Sequence, residues 1–152
     1  MEKSKHICLI LFFIVTVQGH LFCQYNEQVD ILLQEQKATF GRVVYIVLAA
    51  GELITGEETI EQALGVLHEK EWGISIIASD SPVTLGDCSY LLMNVFDIPG
   101  GVMYAMFPSP RYAVRELAYL NILTGSPDPS RSVTGEEVMN LLAQTIDWKE
   151  AR

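Results

Sequence analysis

Residues 133–147 read Val133-Thr134-Gly135-Glu136-Glu137-Val138-Met139-Asn140-Leu141-Leu142-Ala143-Gln144-Thr145-Ile146-Asp147, and the order of residue types points to one kind of element. Thr134 has the short hydroxyl that takes an unpaired amide at a helix start, and Glu137 complements the positive end of the helix dipole. Val138, Leu141, Leu142 and either Thr145 or Ile146 recur at helical spacing, so the segment reads as a capped amphipathic helix. At an offset of 50, Val83-Thr84, Asp87, Leu91, Leu92 and Asp97 fall on Val133-Thr134, Glu137, Leu141, Leu142 and Asp147. Self-similarity at a fixed offset is the mark of stacked supersecondary units. Each buried Leu of such a pair contributes about 1.5–3 kcal/mol.

A second motif recurs at an offset of 69. Glu52-Leu53-Ile54-Thr55-Gly56 matches Asn121-Ile122-Leu123-Thr124-Gly125, with Arg42, Leu48 and Ala49 falling on Arg111, Leu117 and Ala118. Both copies read as a helix running into Thr-Gly, where glycine accepts the left-handed backbone that ends a helix. Between the motifs, Tyr25–Gln36 and Glu57–Glu71 carry apolar residues at helical spacing, and Glu57, Glu58 and Glu61 are expected at the start of the second. Phe40–Leu53 is apolar almost all round and reads as a central helix, its length arguing against a strand over Val43–Leu48. A further helix is expected over Arg111–Leu123. Ile74–Ala78 is expected as an extended connection or a short strand, and Val102–Phe107 is too short to assign. The expected fold is therefore all-α: about six helices in an orthogonal bundle built from two degenerate helix-loop-helix repeats.

The residues carrying the repeat resemble the S-layer homology repeat of bacterial cell-envelope proteins. That family's pattern is an aromatic-Ala helix ending in Ile-x-x-Gly, an acidic loop with proline, then a Val/Ile-Thr-Arg-x-Glu helix with a Leu pair. Here Tyr112-Ala113, Ile122 to Gly125, Pro127-Asp128, Val133-Thr134 with Glu137, and Leu141-Leu142 follow it, and an earlier degenerate copy runs from Phe40 through Val83-Thr84 to Phe96. The resemblance implies a helical fold, a cell-envelope setting and an anionic cell-wall polymer as ligand, contacted by the Arg after the Thr. This chain has Gly135 and Leu85 at that position, so the implied ligand loses its cation.

Composition narrows the function classes. The chain has 152 residues, 10 basic against 19 acidic side chains and a net charge of −9. Few and scattered cations argue against nucleic acid, whose binding rests on clustered Lys and Arg. Lys3 and Lys5 followed by the apolar run Ile7–Val17 read as a secretory signal peptide over residues 1–23, the run being too short for a membrane-spanning helix. The expected exported domain is 24–152, in the periplasm or cell envelope. A cut before His20 is an alternative, and a lipid anchor at Cys23 is the lesser one because His20, Leu21 and Phe22 are bulky where small residues belong. After a cut at 23 the remaining cysteine is Cys88, so the domain must be held by its core.

No catalytic residue, metal site or cofactor is expected. His68 has no nucleophile partner in the pattern, and Asp128 opens a calcium-loop spacing with Val133 and Met139 where Gly and Glu belong. Two clusters remain as candidate binding residues. Arg111, Tyr112 and Arg115 set two cations four apart on a helix, suited to a carboxylate, phosphate or sugar acid, or else to ion pairing with Glu116 or Asp128. Met103, Tyr104 and Phe107 lie in an apolar stretch after Gly100-Gly101 that either plugs the core or, if exposed, docks a protein. The expected function is a non-catalytic envelope scaffold or adaptor, its partner an envelope protein or a cell-wall glycan such as peptidoglycan. The alternative is a periplasmic carrier or small hydrolase acting on an anionic small molecule at Arg111 and Arg115.

Overall fold

The computed structural model describes residues 23–152, and every regular element in them is helical. In chain order these are α1 (Cys23–Gln34), α2 (Phe40–Ala50), α3 (Ile60–Glu69), α4 (Leu85–Val95), α5 (Val102–Met106), α6 (Pro110–Tyr119) and α7 (Gly135–Glu150). The signal peptide expected over residues 1–23 lies outside the described residues but for Cys23, where α1 begins. No helix among the described residues is long and apolar enough to cross a membrane.

The residues of α2 explain why it reads as greasy all round. Phe40, Gly41 and every position from Val43 to Leu48 are buried, so the helix is wrapped on all sides rather than resting on one face. Its Tyr45 hydroxyl, carried into the core, donates to the Gly56 carbonyl at 2.5 Å, which meets the requirement that a buried hydroxyl find a partner. The strand alternative for Val43–Leu48 is therefore absent, and Ile74–Ala78 is an irregular connection. Among the described residues the β-type pairing is limited to two isolated antiparallel bridges, Thr39 with Pro82 and Thr84 with Ser132.

Those bridges belong to a ring. The Ala38 amide donates to the Val133 carbonyl at 2.8 Å, the Val83 amide to the Ala38 carbonyl at 2.9 Å, and the Val133 amide to the Val83 carbonyl at 3.4 Å. Each of the three residues is buried, and each precedes a Thr that sits at the N-cap of a helix: Thr39 before α2, Thr84 before α4, Thr134 before α7. The ring thus has three members, one more than the two copies of the Val-Thr motif in the sequence. Thr39-Phe40-Gly41 against Thr84-Leu85-Gly86, an offset of 45, is the signal that carries the third.

Outside the ring each helix start leans on the neighbouring loop in the same way. The Phe40 and Gly41 amides donate to the Ser81 and Ser79 carbonyls, each at 2.8 Å. The Leu85 and Gly86 amides do the same to Arg131 and Pro129, and the Gly135 amide donates to Glu35. Three helix pairs follow from this arrangement: α2 with α3, α4 with α6, and α7 with α1. Helix α1 therefore completes the pair begun by α7. Close approach explains a glycine here: a Cβ on Gly135 would lie 1.6 Å from the Leu32 carbonyl oxygen.

Helix ends also repeat, though not through glycine. Left-handed residues stand one position past the C-cap of four helices: Glu52 (φ 59°) after α2, Glu71 (φ 50°) after α3, Asp97 (φ 50°) after α4 and Asn121 (φ 58°) after α6. The amides of Leu53, Ile98 and Ile122 then reach back to Leu48, Met93 and Leu117 at 2.9–3.0 Å, closing the last turn as a Schellman-type cap does. The terminators at the Thr-Gly motifs are thus Glu52 and Asn121, while Gly56 (φ 86°) and Gly125 (φ 107°) shape the loop beyond.

Glu57 and Glu58 are also placed differently from expectation. The third helix starts three residues later, with Thr59 and Gln62 forming the capping box, and Glu58 instead accepts from the amides of Thr55 and Gly56 and from the Thr55 hydroxyl. Those bonds hold the Glu58 carboxyl below its ordinary range against the opposing effect of desolvation.

Candidate functional site

Helix α6 is built to face two ways. Pro110 occupies the first turn, where its missing amide costs nothing, and Ala113, Val114 and Leu117 are buried on the side that meets α4. Tyr112, Arg115, Glu116 and Tyr119, at i, i+3, i+4 and i+7, form a second stripe turned toward α5. Arg111 and Arg115 are exposed, and the Arg115 guanidinium lies 5.9 Å from the centre of the Tyr112 ring, within cation–π range. Neither arginine is paired with a carboxylate among the described residues, where the ion pairs are Arg42 with Glu35 and Arg131 with Glu137. The expected pairing with Glu116 or Asp128 does not form; Asp128 accepts from the Ser130 amide and hydroxyl instead, which lowers its carboxyl.

The stretch left unassigned in the sequence is a short helix, α5, held by one residue. Tyr104 packs edge-on against Tyr90 of α4, ring centres 6.1 Å apart, and burial pushes its phenol up to about 12. The other large side chains turn outward: Val102 is 75% exposed, Met103 48%, Met106 63% and Phe107 57%, with Tyr119 of α6 at 81% beside them. Of the two readings of this stretch, plug or surface, Tyr104 alone takes the first; Met103 and Phe107 take the second.

Together α5 and α6 border an open concavity of about 410 Å³, lined by Gly101, Val102, Met103, Tyr112, Arg115, Glu116 and Tyr119. Of the six candidate residues, Met103, Tyr112 and Arg115 line it, Tyr104 anchors its wall, and Phe107 and Arg111 lie outside the lining. Val102, Glu116 and Tyr119 escaped the sequence reading, although the spacing of Tyr112, Glu116 and Tyr119 carries the signal. The floor is mostly apolar and the cations do not converge inside it, so the shape is a shallow groove rather than a closed polar pocket.

The remaining reactive groups are unfavourably placed for chemistry. Cys88 is fully buried in α4, and desolvation with the nearby Glu137 and Asp87 charges pushes its thiol up to about 12, leaving it protonated and inert at neutral pH. His68 is exposed near the end of α3. Among the described residues no group of three or more His, Cys, Asp or Glu side chains is gathered as metal ligation requires. The position after each ring threonine, where the family resemblance looks for an arginine, holds Phe40, Leu85 and Gly135, all buried. Comparisons of the chain with family models, with curated proteins and with solved structures give no match.

Proposed function

We propose that this chain is an exported, non-catalytic scaffold or adaptor of the cell envelope that holds a protein partner on its α5–α6 face. One observation carries the reading: among the described residues nine large apolar side chains are exposed, and five of them, Val102, Met103, Met106, Phe107 and Tyr119, belong to α5, its C-cap and the last turn of α6. Contiguous apolar surface of this kind is costly in water and marks an interaction site. The three-member ring supports reading the domain as a degenerate S-layer-homology-like array in which α1 closes the last pair. The buried residues at the ring arginine position weigh against the polymer ligand that the resemblance implies, and the shallow groove weighs against the carrier or hydrolase alternative. A photo-crosslinking residue at Met103, installed in the native cell, tests the proposal. The expected result is a covalent adduct with an envelope protein, absent when the same residue stands at Glu61 on α3; no adduct from Met103 overturns it.

A further inference from the structure

We infer that the α5–α6 groove takes an acidic amphipathic segment of its protein partner, which seats an apolar side chain against Met103 and Tyr119 and aims two carboxylates at Arg111 and Arg115. This rests on the adaptor reading and names the chemistry of the partner.

Charge supplies the first argument. Residues 24–152 hold 8 basic and 18 acidic side chains, so the few cations left free at a surface are its main points of attraction for an acidic partner. Arg42 and Arg131 are paired with acids, Lys149 and Arg152 lie over the Phe96 and Trp148 rings, and Lys37 and Lys70 lie outside the groove lining. Arg111 and Arg115 stand exposed and unpaired with acid among the described residues, Arg115 in the groove lining and Arg111 one turn earlier on α6. Four residues apart on α6, they rise about 6 Å along its axis. A partner helix with carboxylates at i and i+4, or an extended segment with carboxylates at i and i+2, matches that spacing. Guanidinium groups favour carboxylates through paired, charge-assisted hydrogen bonds.

Shape supplies the second argument and selects among occupants. A bilayer is engaged by a protruding apolar tip, whereas this surface is concave and keeps the Glu116 carboxylate inside it, 3.0 Å from where a Gly101 Cβ would stand. A charged group held there opposes contact with acyl chains. A second copy of the chain joined through this face by a twofold axis would gather four arginines in one interface against two Glu116 carboxylates, an excess of like charge. A separate segment is bound by neither constraint: it can set its apolar anchor in the groove with Glu116 and hold its carboxylates over the exposed arginines.

The test is selection from a phage-displayed library of random 16-residue peptides on the purified protein and on an Arg111→Glu/Arg115→Glu double variant of unchanged thermal stability. Expected are wild-type sequences enriched in Asp or Glu pairs at one of the two spacings, flanking an aromatic or aliphatic anchor. Their dissociation constants should rise about a hundredfold on the double variant, as several kcal/mol of like-charge juxtaposition demands, and at least tenfold on Met103→Asp. No enrichment, enrichment without acidic bias, or equal binding to the double variant overturns the inference. So does flotation with vesicles containing 30% anionic lipid that depends on Met103 and both arginines, which assigns the face to a bilayer, or a dimer in sedimentation that Met103→Asp dissolves, which assigns it to a second copy. An adduct from Met103 in the cell alongside a failed selection retains the adaptor and rejects the acidic segment. Absence of both rejects the two together.

Discussion

Helices α4 and α7 begin with the same sequence device and end in different surroundings. Thr84 and Thr134 each accept from the amide three residues on, Asp87 and Glu137, at 3.1 Å, and each helix carries a Leu pair at the same offset. Yet α4 buries nine of its eleven residues, Leu85, Gly86, Cys88 to Met93 and Val95, while α7 buries Gly135, Val138, Leu141, Leu142 and Thr145. The neighbours account for the contrast. Helix α4 is in contact with α2, α6 and α7, whereas α7 packs on α1 and meets α4 more lightly, leaving its outer side in water. A cap and a stripe fix where a helix starts and which side turns inward; the number of helices around it fixes how much else is buried.

The largest effect expected from this contrast lies in the paired leucines. Leu92→Ala empties a site with 0% exposure inside a helix wrapped on all sides, and about 4 kcal/mol should be lost; Leu142→Ala, at 3% exposure on a helix with one free side, should lose about 3 kcal/mol because that site can relax. Denaturant melts of both variants check the order, and equal losses would show that burial of the leucine alone, without its neighbourhood, sets the cost. Next come the glycines at the two starts. Gly135→Ala drives a Cβ to 1.6 Å from a backbone oxygen, against 2.9 Å from the Pro129 oxygen for Gly86→Ala. Overpacking of this kind costs about 3 kcal/mol for the first and about 1 kcal/mol for the second.

Alkaline pH separates the two helices by another route. Burial on folding raises the Cys88 thiol from its ordinary 9.0 to about 12, so above pH 9 the unfolded chain has given up a proton that the native chain still holds. Stability therefore falls between pH 9 and 12, by about 1.4 kcal/mol per pH unit once the unfolded thiol is ionised, and is unaffected by this group below 9. Tyr104, Tyr45 and Tyr25 add to the slope from pH 10 upward. Urea midpoints between pH 8 and 10 should fall for the wild type, and Cys88→Val should flatten that interval.

The smallest effect concerns an absent ion pair. Arg131, three residues before Thr134, donates to Glu137 through both terminal nitrogens, and Glu35 meets Arg42 around Thr39. Around Thr84 the corresponding residues are Ser81 and Asp87, and the Asp87 carboxylate accepts from the Thr84 hydroxyl alone at 2.7 Å. Ser81→Arg should supply the missing partner and raise stability by about 0.5 kcal/mol, the scale of a partly exposed pair. Removal of that gain by a second change, Asp87→Asn, would identify its source.

Much of the architecture is legible from local pattern. Thr84 and Thr134 as caps, the inward stripes of α3, α4 and α7, and the all-helical class follow from hydroxyl chemistry and the 3.6-residue period, which act within one turn. The third ring member is harder to read because Ala38 stands where Val83 and Val133 stand, and because Thr39 spends its hydroxyl and amide on Glu35 instead of on its own helix. Helix ends at Glu52 and Asn121 were hidden behind the nearby Thr-Gly motifs, since left-handed non-glycine residues leave little mark in a sequence. At the candidate site, Arg111, Tyr112 and Met103 could be singled out as residue types, but the outward turn of Met103 and Phe107 depends on Tyr104 finding Tyr90.

The sequence by itself determined that this chain is helical, where most of its helices begin, and that among residues 24–152 there is no pair of cysteines to bridge. Tertiary structure alone decided that Ala38, Val83 and Val133 close a ring, that α1 pairs with α7, and that the apolar residues of α5 face water. The physical reason is range. Capping and periodicity act over four residues, whereas ring closure joins backbone groups some 45 to 95 positions apart and the exposure of α5 depends on Tyr104 reaching Tyr90 on another helix.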